Sequence, residues 1–213
     1  MENMNLLSSA KMLKKYRIEF AFGKLAKNEE ELLSACRKLG FPIAMKIVSE
    51  AISHKSDIGG VQVNIKSEHE AVKNFYLMLK NAHKHAPRAR IEGIYIQKFL
   101  EGKQLIIGGK LDEQFGPTII FGLGGIFVEV MKDFSLRICP IDRREARVMI
   151  SEIKGFPLLK GIRGEHSINF KKLEAMLLKV NTLMMREKLK ELDLNPVIAN
   201  EKEVIAVDAR VVR

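Results

Sequence analysis

The sequence is poor in cysteine, tryptophan and tyrosine, and few cysteines argue against a disulfide-bonded or cysteine-ligated metal protein. It contains no tryptophan, three tyrosines and two cysteines among 213 residues. Cys36 and Cys139 stand outside any CxxC or Cys/His metal-binding spacing, so we expect two buried thiols. No apolar run approaches the roughly 18 residues of a membrane-spanning helix, and the first residues lack the apolar stretch of a signal peptide. These absences predict a soluble, cytoplasmic protein.

The charge is unbalanced toward the positive sign. Lys and Arg number 36 and Asp and Glu number 26, which makes a formal net charge of +10. Such an excess favours anionic partners, which include nucleic acid, anionic lipid and small polyphosphates. The basic residues are spread along the chain without a dense block or interleaved aromatic residues, so we expect neither a nucleic-acid surface nor a membrane surface.

Apolar periodicity and turn residues predict a mixed α+β protein of two lobes. The polar, proline-containing segment 87–91 suits a linker, so we expect lobes at residues 1–90 and 91–213. We expect helices at residues 6–13, 28–39, 67–85, 142–153 and 169–186. The first has an apolar stripe of Leu6, Leu7, Ala10 and Leu13, and Ser67 and Glu70 make a capping box for the third. We expect strands at residues 42–48, 61–65, 94–100, 104–111, 118–121, 126–130, 135–139, 189–198 and 204–210, with an extended piece at 17–22.

The loop 53–60 is the first candidate for chemistry. It contains His54, Lys55, Ser56 and the pair Gly59-Gly60. An imidazole, an ammonium and hydroxyls beside glycines, whose backbone N–H groups can turn toward an anion, could hold a phosphate. The alternative interpretation is a solvated connection between the strands at 42–48 and 61–65, which we expect to pair with each other across it.

The second candidate is the glycine-rich segment Phe121-Gly122-Leu123-Gly124-Gly125-Ile126. It lacks the GxxxxGK[ST] spacing of a P-loop, and it lacks the GxGxxG form with a following helix of a dinucleotide fingerprint. Three glycines in four residues still indicate close approach of the backbone to another group. The alternative is an ordinary turn.

The third candidate is a possible cation site in Glu191-Leu192-Asp193-Leu194-Asn195-Pro196. Strand periodicity puts the two leucines on one face and the oxygen-bearing side chains on the other. If a hairpin turns about Glu201 and Lys202, Asn195 lies directly opposite Asp208, where both could contact one Mg²⁺. The alternative is a solvated polar face, since a shift of one residue in the turn breaks the pairing.

Lys46 is a single cation inside the otherwise apolar strand 42–48. A charge within an apolar strand is costly unless it meets an anion, and a phosphate would suit it. The alternative is a lysine that reaches solvent from a strand end.

In this order, the segments resemble the ATP-grasp β subunit, or fused domain, of ADP-forming acyl-CoA (acetyl-CoA) synthetases, which are relatives of succinyl-CoA synthetase. The resemblance spans nearly the whole chain. The matching motifs are Pro42-Ile43-Ala44-Met45-Lys46-Ile47-Val48-Ser49, His54-Lys55-Ser56-Asp57-Ile58-Gly59-Gly60-Val61, Phe115-Gly116-Pro117 with Phe121 to Asp133, Arg163-Gly164, and Asp193-Leu194-Asn195-Pro196 with Val207-Asp208-Ala209-Arg210.

The resemblance implies an ATP-grasp fold of two α+β lobes that grip ATP or ADP, with Mg²⁺ as the metal. Its phosphate contacts correspond to Lys46 and the 59–60 loop, and its adenine contacts to the connection at 96–100. The nucleotide-binding residues implied in this way are Lys46, Ser56, Gly59, Gly60, Val61, Gln97, Lys98, Phe99, Leu100, Gln104, Gly124 and Gly125. The metal ligands implied are Asn195, Asp208 and Asp193.

The resemblance also implies an activity. In that family a partner α subunit, which binds coenzyme A, converts acyl-CoA to an acyl phosphate, and a histidine of the partner takes the phosphoryl group. His54 matches the relay that carries the group to ADP. A neutral imidazole is a competent nucleophile near pH 7, and a loop can carry its phosphoryl adduct between sites. We therefore expect a ligase that acts only with its α subunit.

Three segments depart from the family pattern. Gly102-Lys103-Gln104 stands where relatives carry a Gly-x-Glu stretch, and an amide cannot supply the negative charge of a glutamate. Tyr16-Arg17-Ile18-Glu19 replaces Tyr-Gly-Ile-Pro, and Glu165-His166-Ser167 replaces a proline-rich run. Two alternative functions follow: a non-catalytic subunit that senses nucleotide, suggested by Gln104, and a basic nucleic-acid-binding module.

Overall fold

The computed structural model describes residues 3–52, 55–125, 133–162 and 164–213. Up to residue 100 the elements are β1 (Asn3–Met4), α1 (Leu6–Lys15), β2 (Gly23–Ala26), α2 (Glu29–Leu39), β3 (Ile43–Val48), a 3₁₀ turn (Ser56–Ile58), β4 (Val61–Ile65), α3 (Glu68–His85) and β5 (Gly93–Lys98). The later elements are β6 (Lys103–Asp112), β7 (Gly116–Leu123), β8 (Phe134–Ile138), α4 (Arg143–Glu152), α5 (Phe156–Leu159), α6 (Phe170–Glu187), β9 (Glu191–Ala199), β10 (Val204–Ala206) and β11 (Arg210–Val212). The α+β class is confirmed.

The chain forms two compact units whose limits differ from the predicted lobes. Unit 1 contains Met1–Phe20 and Glu101–Arg213, and unit 2 is Ala21–Leu100. The predicted lobes 1–90 and 91–213 separated β5 from β2 and β3, which are its hydrogen-bonded neighbours on both sides. They also separated α1 from the core of unit 1, in which Leu13 is fully buried. Contacts between residues far apart in the chain decide that β5 belongs to unit 2 and α1 to unit 1. The local sequence does not show these contacts.

Unit 2 is a four-stranded antiparallel sheet in the order β2-β5-β3-β4, packed with α2 and α3. The predicted pairing of the strands around residues 42–48 and 61–65 is confirmed by β3 and β4. All six residues of β3 are buried, and all are apolar except Lys46. Ile43, Met45 and Ile47 lie in the core with residues of α2 and α3.

Unit 1 is built on a larger antiparallel sheet, in which the described strands follow the order β1-β11-β9-β6-β7-β8 and β10 extends the pairing of β9. The described helices α1, α4 and α6 pack in one core with sheet residues such as Leu105, Ile107 and Phe121. Side chains alternate between the two faces of a strand, so the residues next to Leu105, Ile107 and Phe121 point away from this core. We call the face on which they lie the second face. One row of paired residues crosses it in the order Leu136, Ile120, Gly108, Asp193 and Arg210.

The predicted helix starts are confirmed by their caps. The side chains of Asn28, Ser67, Asp142 and Asn169 each accept a hydrogen bond from the backbone N–H three residues ahead. Asp142 and Glu145 form a complete capping box. The box predicted for Ser67 and Glu70 forms only in part, because the Glu70 carboxylate accepts from the N–H of Lys66 instead. Among the described residues, no helix is both long and apolar enough to cross a membrane.

The weakest predictions concern the N-terminal region. The expected apolar stripe of α1 included Leu7 and Ala10, whereas Ser9 and Met12 are buried in their place. The extended piece expected at 17–22 forms an isolated bridge from Phe20 to Ala206, and β2, which begins with Gly-Lys, was not predicted. The strand expected at 126–130 lies outside the described residues.

Candidate functional site

The hairpin near the C-terminus places the predicted metal pair as expected. Its two strands pair symmetrically about the turn at residues 201–202, with Ala206 opposite Val197 before an interruption and Arg210 opposite Asp193 after it. The register is the same on both sides of the interruption, so Asn195 lies opposite Asp208. This register agrees with the hairpin on which the metal-site prediction rests, and the metal site itself stays a prediction.

Strand β9 alternates as predicted, with Leu192 and Leu194 buried in the core and the polar residues on the second face. Asp193 is half-buried, and its Oδ1 atom is buried without a hydrogen-bond partner among the described residues. Burial raises the pKa of Asp193 to about 6, and the carboxylates of Glu191 and Asp208 add to this while Arg210 opposes it. Accumulated negative charge with an unused oxygen is an arrangement that a cation would stabilise.

Asp208 lies in the interruption between β10 and β11, where its Oδ1 accepts a hydrogen bond of 2.9 Å from the N–H of Ala209. Arg210 lies opposite Asp193 and forms an ion pair with Glu191, with 3.3 Å between Nη1 and Oε1. The sequence prediction gave Arg210 no role, although its position two residues after Asp208 places it on the same strand face.

The residues present fit a magnesium ion that also takes oxygens from a ligand. Among the described residues, no group of three or more His, Cys, Asp or Glu lies close enough to hold a metal alone. The hard donors available here are the oxygens of Asp193 and Asp208 and the amide oxygen of Asn195, which Mg²⁺ accepts when phosphate and water complete its octahedron.

Lys46 is buried, with 4% of its surface exposed, and lies inside β3. Its neighbours across the sheet are Tyr95 in β5 and Val61 in β4. The alternative interpretation of a lysine reaching out from a strand end is wrong, because ladder pairs continue on both sides of it. The strand holds this cation at a fixed position in unit 2.

The loop before β4 uses its glycines for a tight turn. The N–H of Gly59 donates to the carbonyl of Ser56 at 3.0 Å, and that of Gly60 donates to the carbonyl of Lys55 at 2.7 Å. Gly59 has a φ of +68°, which favours glycine. The expectation that these two amides face an anion is therefore wrong for this conformation, and Ser56 is exposed. His54 lies outside the described residues.

The segment from Gln97 to Leu100, predicted to contact adenine, begins at the end of β5, where β5 pairs with the first residues of β3. Gln97 is buried with 2% of its surface exposed, whereas Lys98 is exposed. The Lys98 Nζ donates to the carbonyl of Phe41 at 3.1 Å, and the N–H of Phe99 donates to the carbonyl of Pro42 at 3.1 Å. These contacts join the end of unit 2 to the residues just before β3.

The structure brings three predicted residues of unit 1 together. The N–H of Gly124 donates to the carbonyl of Gln104 at 2.7 Å. A Cβ on Gly124 would lie 3.0 Å from the carbonyl carbons of Gln104 and Leu105, and one on Gly125 would lie 3.1 Å from the Oε1 of Gln104. Gly125 also has a φ of +66°. The glycines therefore allow close approach to Gln104, which supports the close-approach interpretation over an ordinary turn.

Comparison with known proteins agrees with this arrangement. The profile of the ATP-grasp domain family matches residues 2–212. The chain is 45% identical over 203 residues to subunit beta of ADP-forming acetate–CoA ligase I from Pyrococcus furiosus, covering 94% of this chain and 88% of that one. The chain belongs to the ATP-grasp family. Within it, the chain belongs with the beta subunits of ADP-forming acetate–CoA ligases.

Other relatives of this ATP-grasp chain are longer or have solved structures. ADP-forming acetate–CoA ligase I from Archaeoglobus fulgidus is 43% identical over 94% of this chain, which corresponds to 30% of that protein. Acetyl-coenzyme A synthetase 1 from Ca. Korarchaeum cryptofilum, solved with coenzyme A and Ca-AMPCP, is 40% identical with a TM-score of 0.94, covering 99% of this chain and 93% of that one.

A second structure of the Korarchaeum protein contains coenzyme A and Mg-AMPPCP, with a phosphohistidine segment pointing towards the nucleotide-binding site. It has a TM-score of 0.85 and 37% identity, covering 99% of this chain and 92% of that one. The ATP-grasp fold expected from the sequence is confirmed.

Proposed function

We propose that this chain is the nucleotide-binding beta subunit of an ADP-forming acyl-CoA synthetase, which converts acyl-CoA, ADP and phosphate reversibly into carboxylic acid, ATP and CoA. The observation that carries the proposal is the position of Asn195 opposite Asp208, beside the Asp193 carboxylate, on the second face of unit 1. End-to-end similarity to a ligase beta subunit supports it.

Asn195, Asp208 and Asp193 would hold Mg²⁺ together with nucleotide phosphate. Bound there, Mg²⁺ would neutralise phosphate charge and orient the phosphates for in-line transfer. Lys46, buried in β3 of unit 2, is the cation that we propose for nucleotide phosphate, since a buried charge acts more strongly than one in water. Gln97 to Leu100 contact the adenine, and Gln104 with Gly124 and Gly125 lies beside the nucleotide.

His54 carries the phosphoryl group in this proposal. Its ring nitrogen forms a bond to the phosphorus as the bond to the partner's histidine breaks. A β-phosphate oxygen of ADP then attacks the phosphorus, and His54 is released as ATP forms. The loop position of His54 in the sequence suits a residue that visits two sites.

The proposal requires a coenzyme A-binding α subunit. The chain corresponds to 88% of a ligase subunit called beta, and to 30% of a single-chain ligase. Chemistry at the acyl thioester therefore belongs to the remainder of such an enzyme, and the partner selects the acyl group.

The metal site is tested by calorimetry with Mg-ADP. We expect Asp208→Asn to weaken binding of Mg-ADP by at least about tenfold and to leave binding of ADP in EDTA nearly unchanged, because one charged oxygen ligand is lost. Glu113→Gln, at an exposed hairpin tip, is the matched control and should bind normally. Equal affinity of wild-type protein and Asp208→Asn for Mg-ADP would remove Asp208 from the site.

The relay is tested by mass spectrometry after incubation with the α subunit, acyl-CoA and phosphate. We expect phosphate on the peptide that contains His54, and its loss together with ATP formation in His54→Asn. His69→Asn, in an exposed position at the start of α3, should retain both. ATP formation without phosphate on His54 contradicts the relay. Binding of Mg-ADP without any turnover in the presence of the partner would instead support the nucleotide-sensing alternative.

A further inference from the structure

The last strand of the unit 1 sheet presents three large apolar side chains to solvent. Phe134, Leu136 and Ile138 are 49%, 52% and 50% exposed. They alternate along β8 and so lie together on the second face. We call them the β8 stripe. Among the described strands, β8 pairs with β7 and with no other, so within the part of the chain that the structure describes one side of β8 is a free sheet edge.

This edge lacks the protection that natural edge strands carry. Exposed edges are usually short or bear charged residues and prolines that prevent pairing with another chain. The charged residue of β8, Arg137, lies on the face opposite the stripe. There it donates hydrogen bonds to both carboxylate oxygens of Glu152 on α4. The stripe itself is entirely apolar, and clustered apolar residues of this size on a surface mark interaction sites.

The stripe shares its face with the metal residues. The row that crosses the sheet from Leu136 passes Ile120 and Gly108 and reaches Asp193. Three strand spacings separate Leu136 from Asp193, which is about 15 Å. A protein that covers the stripe therefore comes close to the carboxylates proposed to hold Mg-nucleotide.

We propose that the β8 stripe is the docking surface for the coenzyme A-binding subunit, which adds a strand along the free edge of β8 and packs its own apolar side chains beside the stripe. The inference rests on the proposed function, which requires that subunit as the source of the phosphoryl group. The relatives favour this occupant over a second copy of the chain. In the Archaeoglobus ligase the matching region is 30% of one polypeptide, so the rest of that enzyme must adjoin it.

The test uses Leu136→Glu, which places a charge at the centre of the stripe on a half-exposed side chain. The coenzyme A-binding subunit from the same genome is titrated into an assay of acyl-CoA-dependent ATP formation. We expect the partner concentration for half-maximal rate to rise at least about tenfold, with the rate at saturating partner and the affinity for Mg-ADP unchanged. Leu77→Glu, on α3 with 43% exposure, is the matched control and should behave as wild type.

A second measurement needs no substitution. Amide hydrogen exchange of the wild-type protein should slow in residues 134–138 when the partner is added, because free edge amides become paired. Unchanged exchange there, or an unchanged partner requirement in Leu136→Glu, overturns the proposal. Self-association of the wild-type chain that Leu136→Glu abolishes, with partner binding intact, assigns the stripe to a second copy instead. Failure of wild-type protein to bind Mg-ADP would count against the proposed function, and the hydrogen-exchange readout of the stripe does not depend on it.

Discussion

Cys36 and Cys139 are buried thiols, as their isolated positions in the sequence predicted. Burial is the main cause that raises the pKa of each thiol to about 11, and the nearby Glu68 carboxylate adds to the effect for Cys36. At pH 8 both groups are therefore protonated in the folded protein, and the thiolate is the reactive form.

We predict that a thiol-specific disulfide reagent at pH 8 modifies neither cysteine in the native protein within minutes. In concentrated denaturant both should react, because unfolding restores a thiol pKa near 8.5. Rapid modification of the native protein, with the circular dichroism spectrum unchanged, would contradict the burial of these thiols.

The glycines at 59 and 60 show why residue type alone does not assign a role. A glycine pair beside Lys55 and Ser56 suits a phosphate-binding loop and suits a tight turn equally well. The hydrogen bonds made by the two N–H groups decide for the turn in this conformation. Partners of backbone amides depend on the fold of the loop, which composition does not specify.

Between elements, Glu187 joins the end of α6 to α1 and to the C-terminus. Its Oε1 accepts hydrogen bonds from Lys15 Nζ and Tyr16 Oη, each at 2.7 Å, and its Oε2 lies 3.4 Å from Arg213. These hydrogen bonds, first that from Lys15 and then that from Tyr16, lower the pKa of Glu187. The ionised carboxylate therefore stabilises the folded state above its ordinary pKa, and this contribution disappears as the pH falls below it.

We predict that Glu187→Gln lowers the free energy of unfolding by about 1 kcal/mol at pH 7, since Lys15 is largely exposed and solvent screens the pair. The difference from wild type should shrink as the pH falls from 5 to 3 in urea denaturation. Glu68→Gln, which breaks the exposed pair with Arg37 on unit 2, should change stability by less than about 0.5 kcal/mol. A deficit for Glu187→Gln that grows on acidification would refute the assignment.

The contact between β6 and α6 depends on the absence of a side chain at Gly109. A Cβ there would lie 2.7 Å from Met184 Sδ and 2.9 Å from the carbonyl of Thr118. We predict that Gly109→Ala destabilises the protein by about 1–3 kcal/mol through overpacking. Met184→Ala removes the contact with the Met184 side chain and leaves that with the Thr118 carbonyl, so the double variant should be about 1 kcal/mol more stable than additivity requires.

Gly116→Ala is the control for this double-mutant cycle. Gly116 has a φ of +76° and nothing within 4 Å of an added Cβ. Gly116→Ala therefore lowers the free energy of unfolding through backbone strain alone. Its effect should add to that of Met184→Ala within about 0.5 kcal/mol when both are measured by chemical denaturation. If the effects of Gly109→Ala and Met184→Ala were also additive, the Met184 side chain would not limit the space beside Gly109.

For the whole molecule, the division into units predicts which fragments fold. Unit 2 is continuous in sequence and has its own core, with Ile43, Met45 and Ile47 fully buried. We predict that the fragment 21–100 unfolds cooperatively by urea and shows dispersed amide signals by NMR. The fragment 1–90 lacks β5, the strand that pairs with both β2 and β3, and should be unfolded.

Unit 1 behaves differently because it is discontinuous. A fragment of residues 101–213 loses α1, whose Leu13 is fully buried in the core, and it loses β1 from the sheet edge. It should therefore be less stable than the same fragment with residues 1–20 supplied, as measured by thermal unfolding. If 1–90 and 101–213 both folded cooperatively, the limits at residues 20 and 100 would be wrong.

The sequence by itself determined the α+β class, most helix starts, the β3–β4 pairing and the register that sets Asn195 opposite Asp208. Each of these follows from local chemistry: caps, strand periodicity and a two-residue turn. Only the tertiary structure decided that α1 joins the C-terminal sheet, that Lys46 is buried, and that β8 ends the sheet with an apolar face. Those features depend on contacts between residues far apart in the chain, and no local pattern records which distant strand a segment will meet.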